Sequence, residues 1–253
     1  MASRLLRPTL AVTAGLVAAH AAPALTNIDV LRRRFAPGLS GTGDPGHVAL
    51  TFDDGPQADS TPAFLDALDR LGWRATFFMV GAMVRSAPSL AAEVAAAGHE
   101  IAVHGDVHRS EALRTPWAVL EDMAGAVDTI ASATGRIPTW FRPPYGTLST
   151  AGVVAARRHR LTPVLWTTWG RDWRSDATPD TVVADVIRGL GPGATVLLHD
   201  SDCTSAAGAW RSALGALPAL AEAFAGRGLA VGPLAEHGYG TARHGVGNTD
   251  VSS

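Results

Sequence analysis

The feature that most constrains the fold is a regular alternation of short apolar runs with longer segments of helical periodicity. Seven apolar runs are short enough to be strands, and they are His47–Phe52, Arg74–Val80, His99–Val103, Thr139–Arg142, Leu161–Thr168, Ala194–Leu198 and Leu229–Val231. The helical patterns between them cover Thr61–Leu71, Ser89–Ala97, Pro116–Ala133, Thr150–Arg158, Pro179–Leu190 and Ala206–Ala225. This alternation predicts an α/β fold with a parallel sheet, either open and doubly wound or closed as a barrel.

The composition supports one folded domain and excludes a general nucleic-acid binder. Of the 253 residues, 47% are hydrophobic and 17% are charged, which suffices for a core without disulfides or a structural metal. The formal net charge is −2, so the chain lacks the broad positive field that attracts nucleic-acid phosphates. We therefore expect no nucleic-acid partner.

Lysine is absent from the chain, and cysteine occurs once, at Cys203. Without lysine the protein cannot form a Schiff base or a P-loop phosphate site. A single cysteine makes neither an internal disulfide nor a thiolate zinc site. Any metal must therefore be held by His, Asp or Glu side chains.

The amino-terminal region has the layout of an export signal. Arg4 and Arg7 precede the stretch Pro8–Leu25, which is rich in Ala, Val and Leu and contains no Arg, Asp or Glu. We predict a signal-like or membrane-tethering segment over residues 1–30, and with it an extracytoplasmic protein that is secreted or tethered. The alternatives are an amphipathic helix packed on the domain and a cytoplasmic location.

The remaining boundaries follow from changes in composition. Residues 31–46 are basic and then Gly-rich, which predicts a linker. Residues 47–232 contain the alternating pattern and form the predicted domain, which we expect to be a monomer. Residues 233–253 have no apolar period, which predicts a disordered tail.

Polar residues follow several strands at the edge where parallel α/β folds place their active sites. Asp53 and Asp54 stand together after the first strand, in a turn with Gly55 and Pro56. Adjacent carboxylates repel each other, and a metal or a hydrogen-bonding partner makes such crowding tolerable. The alternative is an Asx-turn or a helix cap.

His104 and His108 follow the third strand at a spacing that brings both rings to one side of a helical turn. Together with Asp54 they would supply two nitrogens and one oxygen, leaving positions for water and substrate as a catalytic metal requires. The alternative is a pair of surface histidines.

Three further strand ends carry candidate functional residues. Arg142 precedes two prolines after the fourth strand and could hold a carboxylate such as Asp53, although a surface Arg beside a proline turn is the simpler interpretation. Asp172 follows the fifth strand and His199 the sixth. An acid such as Asp172 could orient His199 and raise its pKa for proton donation, the alternatives being an ordinary loop and a structural histidine.

Five of these segments, taken in order, resemble the motifs of a known family. They are TFDDGP from Thr51, HGDVH from His104, RPPYG from Arg142, RDW from Arg171 and LLHD from Leu197. The set resembles the polysaccharide deacetylase family, the NodB-homology carbohydrate esterases of family four, over His47–Val231. The resemblance implies a distorted (β/α) barrel of seven or eight parallel strands, and a metal-dependent hydrolase that removes acetyl groups from N-acetylated sugars.

The resemblance also implies a role for each matching residue. Asp54, His104 and His108 would hold a divalent metal, with zinc expected first and cobalt, manganese or nickel as alternatives. Asp53 would be the base that activates water, and His199 the acid that protonates the leaving amine.

The supporting residues follow from the same resemblance. Arg142 would hold Asp53, and Asp172 would hold His199. The backbone N–H of Tyr145 would stabilise the oxyanion. The substrate would be bound by Trp173, Leu197, Pro143 and Tyr145, with Trp173 and Leu197 walling the pocket of the acetyl methyl group.

Gly105 departs from the pattern, because the family commonly has Ser or Thr after the first histidine. The hydroxyl that braces the histidine loop is therefore missing, which predicts weaker metal binding unless Asp106 compensates.

The sequence leaves the substrate open. The primary hypothesis is N-deacetylation of an N-acetylglucosamine-containing glycan, such as peptidoglycan or a chitooligosaccharide. The alternatives are an O-acetyl esterase acting on xylan or another glycan, and a non-catalytic glycan-binding barrel.

Overall fold

A computed structural model describes residues 13–238 of the chain. Its eight strands are β1 (His47–Asp53), β2 (Thr76–Met79), β3 (Glu100–Val103), β4 (Trp140–Phe141), β5 (Thr162–Pro163), β6 (Thr168–Trp169), β7 (Thr195–His199) and β8 (Ala230–Gly232). They form one sheet in the order β5-β4-β3-β2-β1-β7-β6, while β8 pairs with the start of β1. Every pairing is parallel. The sheet is curled into a partial barrel. The barrel is open between β5 and β6, since no ladder joins these two strands within residues 13–238. The predicted fold class is confirmed.

Helices connect the strands and cover the sheet. They are α1, described over residues 13–21, α2 (Asp29–Phe35), α3 (Thr61–Leu71), α4 (Gly81–Ser86), α5 (Pro88–Ala96), α6 (Pro116–Thr134), α7 (Thr150–Arg158), α8 (Pro179–Gly189) and α9 (Trp210–Ala225). Their ends follow local chemistry. The Thr115 hydroxyl accepts from the N–H of Ala118 at 3.3 Å to cap α6, and α6 ends at Gly135 with φ 65°.

The core lies between β1 and its neighbouring helices. Six of the seven β1 residues are buried, as expected for a strand paired on both sides in a parallel sheet. The Phe52 ring stacks on Phe77 and packs edge-on to Phe64, with both centroid distances 5.1 Å. This packing holds the carboxyl end of β1, where Asp53 and Asp54 follow.

The predicted strand Leu161–Thr168 is wrong as one element. The chain forms β5 and β6 with a break between them, so the sheet has eight strands and not seven. The cause is Arg142, whose guanidinium donates to the carbonyls of Val164 at 3.4 Å and Leu165 at 2.9 Å. These carbonyls face a buried cation, so they are not available to a neighbouring strand.

Helix α4 was not predicted, because its six residues lie between the predicted strand Arg74–Val80 and the predicted helix Ser89–Ala97 and were assigned to neither. Its first amides, from Gly81 and Ala82, donate to the carbonyls of Gly105 and Asp106 at 3.0 and 2.9 Å. Long-range contacts of this kind leave no local signal in the sequence.

Parts of the predicted linker, residues 31–46, are packed on the domain. Helix α2 enters this range, and its Arg32 is only 4% exposed. The Arg32 guanidinium donates to the carbonyls of Thr26 at 3.1 Å and Trp166 at 3.0 Å, which ties the segment to the barrel. Further along, the Thr195 hydroxyl donates to Gly41 O at 2.6 Å.

The start of the predicted tail is also packed. Leu234 and His237 are buried, and His237 Nε2 lies 3.0 Å from Gly193 O. The prediction of a disordered tail is therefore wrong for residues 233–238, and its remainder, 239–253, lies outside the described residues.

The amino-terminal prediction lies partly outside the described residues, since these begin at residue 13. Within the described chain, no single helix has both the length and the hydropathy to cross a membrane. The helices Thr13–Asn27 and Asp29–Phe35 would meet that test as a pair, with a bend of 103° between them.

Candidate active site

The predicted site residues converge on one cavity of about 390 Å³ at the carboxyl ends of the strands. The parallel register places Asp53 of β1 directly beside His199 of β7. His104 follows β3, the second strand from β1 on the opposite side. Side chains from distant parts of the sequence therefore meet because parallel strands end at one edge.

Both adjacent aspartates face this cavity, although successive residues of a strand ordinarily point to opposite sides. The backbone turns at Asp54, which has φ 81° and so lies in the left-handed region that non-glycine residues seldom adopt. Such a conformation costs on the order of 1–3 kcal/mol and is found mainly at functional sites. The turn brings two buried carboxylates to the same place.

Asp54, His104 and His108 form a cluster with the geometry of a metal site. Asp54 Oδ1 lies 3.3 Å from His104 Nε2 and 3.1 Å from His108 Nε2. The three ligand atoms lie within 4.8 Å of one another. Burial alone would raise the pKa of Asp54, but the two imidazoles and His199 hold it well below its ordinary value.

Hydrogen bonding around the cluster leaves the ligand atoms free. The Thr204 hydroxyl donates to Asp54 Oδ2 at 2.9 Å, whereas the buried Asp54 Oδ1 has no hydrogen-bond partner among the described residues. His104 Nδ1 lies 2.8 Å from Arg142 O, an acceptor that fixes the proton on Nδ1 and turns the Nε2 lone pair toward Asp54. Two imidazole nitrogens and one carboxylate oxygen, with open positions beside them, fit a catalytic divalent metal.

Asp53 is held by Arg142, as the family resemblance implied. Arg142 Nη1 donates to Asp53 Oδ1 at 2.6 Å and to the Thr51 hydroxyl at 2.9 Å. The guanidinium is fully buried and lies 4.0 Å from the centroid of the Phe78 ring. Its remaining nitrogens donate to the two carbonyls that follow β5, so Arg142 is fixed in a single orientation. Asp53 Oδ2 stays on the cavity side, 3.7 Å from His104 Nε2.

His199 is paired with Asp172. His199 Nδ1 lies 2.9 Å from Asp172 Oδ1, and the His199 backbone N–H donates to Asp172 Oδ2 at 2.7 Å. Burial alone would lower the pKa of His199, but the charge and the hydrogen bond of Asp172, with Asp54 and Asp53 nearby, raise it to about 10. The cavity therefore holds a carboxylate fixed by a cation and an imidazolium fixed by an anion, which are the two states that base and acid catalysis require.

Tyr145 borders the cavity from the loop after β4. Its backbone has φ 59°, again in the left-handed region, and its ring packs edge-on to His108 at 4.4 Å between centroids. Pro143 differs from the prediction, because it is buried and does not line the cavity.

The apolar wall is larger than predicted. Leu197 and Trp173 line the cavity as expected, but Trp169 and Trp166 do so as well. Trp169 is paired with Leu197 across β6 and β7, and its ring lies 5.7 Å from that of Trp166 and 6.3 Å from that of Trp173. Trp166 lies within the predicted strand Leu161–Thr168 and Trp169 directly follows it, and neither was singled out as a site residue.

Four other lining residues were missed, namely Asn27, Gly146, Thr204 and Ser205. Asn27 belongs to the segment predicted as a signal or tether, yet its Nδ2 donates to Tyr145 O at 3.1 Å. A Cβ atom added to Gly146 would stand only 2.6 Å from Asn27 Oδ1, so position 146 has no room for a side chain. Asn27 belongs to no motif, so nothing in the sequence distinguished it as a cavity residue.

Comparisons with known proteins agree with this geometry. The family model described as polysaccharide deacetylase matches residues 40–164. The chain is 34% identical over 195 residues to a chitooligosaccharide deacetylase from Bradyrhizobium sp. (strain ANU 289), covering 74% of this chain and 88% of the relative. It is 33% identical to the peptidoglycan-N-acetylglucosamine deacetylase PgdA of Listeria monocytogenes, over 63% of this chain but only 34% of the relative.

A solved structure shows the same architecture. The family 4 carbohydrate esterase from Streptomyces lividans, in complex with acetate, matches with a TM-score of 0.66 and 34% identity, covering 74% of this chain and 92% of that chain. Agreement in fold, in sequence and in the order of the site residues leads to one conclusion: the chain belongs to the polysaccharide deacetylase family.

Proposed function

We propose that the protein is a metal-dependent hydrolase that removes N-acetyl groups from an N-acetylglucosamine-containing glycan outside the cytoplasm. The observation that carries the proposal is the arrangement around the Asp54, His104 and His108 cluster. The same cavity is lined by a carboxylate held by a buried Arg, Asp53, and by an imidazole held by a buried Asp, His199. The relatives named for chitooligosaccharide and peptidoglycan deacetylation support an amide substrate.

The metal would be held by Asp54 Oδ1, His104 Nε2 and His108 Nε2. A divalent cation there supplies Lewis-acid polarisation of the acetyl carbonyl and makes water more acidic. Zinc fits this donor set, and cobalt, manganese and nickel fit it as well.

The protein's own groups move the protons. Asp53, held in place by Arg142, accepts a proton from the attacking water as the oxygen bonds to the acetyl carbon. The carbonyl oxygen takes up negative charge and accepts a hydrogen bond from the backbone N–H of Tyr145, a contribution of about 3 kcal/mol. His199, kept protonated by Asp172, donates a proton to the nitrogen as the C–N bond breaks. The products are acetate and a free amine.

The apolar wall selects the acyl group. Leu197 and Trp173 line the same cavity as the cluster and would enclose the acetyl methyl group. Trp173 is 42% exposed and Tyr145 is 54% exposed, so sugar rings can reach both rims from solvent.

The test is acetate release from a chitooligosaccharide, a peptidoglycan and an acetylxylan, by protein loaded with zinc or cobalt and by protein treated with a chelator. We expect chelator-sensitive release from one of the two N-acetylated substrates. Release from acetylxylan alone would identify an O-acetyl esterase instead. Metal binding without release from any of the three would contradict the proposed chemistry.

A further inference from the structure

The loop that carries both histidines, residues 104–108 (the histidine loop), is held by helices α4 and α6, neither of which is among the described residues that line the cavity. Its carbonyl groups are held by α4: Gly81 N donates to Gly105 O, and Ala82 N donates to Asp106 O. The Asp106 carboxylate is engaged by Arg85, with nitrogen to oxygen distances of 2.5 and 3.0 Å. The possible compensation by Asp106 for the missing hydroxyl is therefore not what the structure shows.

The amide groups of the same loop are held by Asp122 of α6. Asp122 Oδ2 accepts from Asp106 N at 2.8 Å, and Oδ1 accepts from Val107 N at 3.3 Å. These two amides lie between His104 and His108 in the sequence. A single carboxylate thus fixes the stretch of backbone that sets the separation of the two rings.

Asp122 is itself oriented. Arg114 Nη1 donates to Asp122 Oδ1 at 2.6 Å, and Arg114 Nη2 donates to Ala118 O at 3.1 Å. The Asp122 side chain is 10% exposed, so its hydrogen bonds are largely shielded from competing water. It projects from a helix of 19 residues, which gives it a rigid base.

Gly105 is fitted to this carboxylate. Its φ is 86°, a region that residues with a side chain seldom adopt, and a Cβ there would stand 3.1 Å from Asp122 Oδ2 and 3.3 Å from Val107 O. A larger residue at position 105 would therefore strain the backbone and press on Asp122. Gly105 and Asp122 form a matched pair.

We propose that Asp122, oriented by Arg114, is a positioning residue that holds the histidine loop so that His104 and His108 converge with Asp54 on the metal. Groups that orient metal ligands without binding the metal themselves typically contribute about 10- to 100-fold in metal affinity. The weak metal binding predicted from Gly105 is then not expected, because Asp122 braces the loop from α6. This inference rests on the proposed function in one respect, the assignment of the metal ligands.

The test measures affinity for Zn²⁺ and Co²⁺ by competition with a chromophoric chelator, without any glycan. Asp122→Asn is compared with wild type and with Asp128→Asn, an isosteric change at an exposed position of the same helix. We expect Asp122→Asn to bind both metals about 10- to 100-fold more weakly and to alter the visible absorption of bound Co²⁺. Asp128→Asn should match wild type in both measurements, and thermal unfolding of the metal-free proteins verifies the fold.

The Gly105→Ser variant distinguishes this proposal from the alternative that the loop binds metal weakly because it lacks a hydroxyl at position 105. We expect it to weaken metal binding, because the side chain meets Asp122 and the backbone is strained. Tighter binding by Gly105→Ser, or wild-type affinity in Asp122→Asn, would overturn the proposal. If Asp122→Asn fails to fold, Arg114→Gln replaces it in the test. We expect Arg114→Gln to weaken metal binding measurably but by less than about tenfold, because the Asp122 carboxylate still accepts from the loop amides.

The outcomes also distinguish this proposal from the proposed function. Absence of metal binding in the wild type would overturn both. Metal binding and acetate release by the wild type, combined with an unchanged Asp122→Asn variant, would overturn only the role of Asp122.

Discussion

Replacing Asp172 with Asn tests the electrostatic origin of the acid. Asp172 contacts both the ring and the backbone N–H of His199, and its charge and hydrogen bond are the largest contributions that raise the pKa of that imidazole to about 10. Asn has the same shape without the charge. Burial continues to lower the pKa in the variant, while Asp53 and Asp54 still raise it. We therefore expect the pKa of His199 to fall by about 2–3 units, which is about 3–4 kcal/mol of preference for the protonated form.

The expected consequence is a loss of activity that depends on pH. With a pKa near 7.5, about 3% of the imidazole is protonated at pH 9, against about 90% in the wild type, so kcat/KM should fall about 30-fold. At pH 6.5 both proteins are protonated, and the difference should shrink to within about twofold. The assay is acetate release by metal-loaded protein from pH 6 to 10, with the His199 ring titrated by NMR in parallel.

The control is Asp176→Asn, which changes an exposed acid in the loop that also carries Asp172. It should leave the profile unchanged. An equal loss in Asp172→Asn at every pH would show that Asp172 acts only by orienting the ring. An alkaline limb at the same pH in both proteins would refute the assignment of His199 as the acid.

Three further predictions follow from buried groups. Burial raises the pKa of Glu111 to about 7, so the folded state binds this proton more tightly than the unfolded state does. The contribution of Glu111 to the free energy of unfolding is therefore fully present below its ordinary pKa and falls as the pH rises toward 7. Urea unfolding should therefore show Glu111→Gln gaining up to about 3 kcal/mol on wild type between pH 4.5 and pH 8. Arg142→Lys should lower kcat and destabilise the fold by about 2–4 kcal/mol, because one ammonium cannot reach Asp53 and both carbonyls after β5; unchanged kcat would contradict the role given to the guanidinium. Phe52→Ala should cost about 3–5 kcal/mol in urea unfolding, and a cost below about 1 kcal/mol would contradict the packing of β1 on Phe64 and Phe77.

The site was largely predictable because its residues follow strands. Asp53, His104 and His199 each stand at the end of an apolar run, and parallel strands bring such ends to one edge. The pairing of Arg142 with Asp53 was expected from the family resemblance, whereas the residues alone favoured a surface Arg beside a proline turn.

The remaining features depend on contacts between distant segments, which no local pattern reports. Arg142 interrupts a predicted strand by attracting its carbonyls, and Arg32 docks an apparent linker on the barrel. Asp122 holds the histidine loop from helix α6, where the sequence alone indicates an ordinary surface acid. Each is a polar side chain whose partner is a backbone group far away in sequence.

In the proposed mechanism Asp53 is the base that activates water, while Asp54 and the two histidines hold the metal. The most direct measurement is acetate release from a chitooligosaccharide by Asp53→Asn, with the metal content determined on the same sample. We expect a metal content equal to that of wild type and a loss of release of at least about 100-fold, as befits removal of a general base. Release at the wild-type rate, with the metal still bound, would contradict the account.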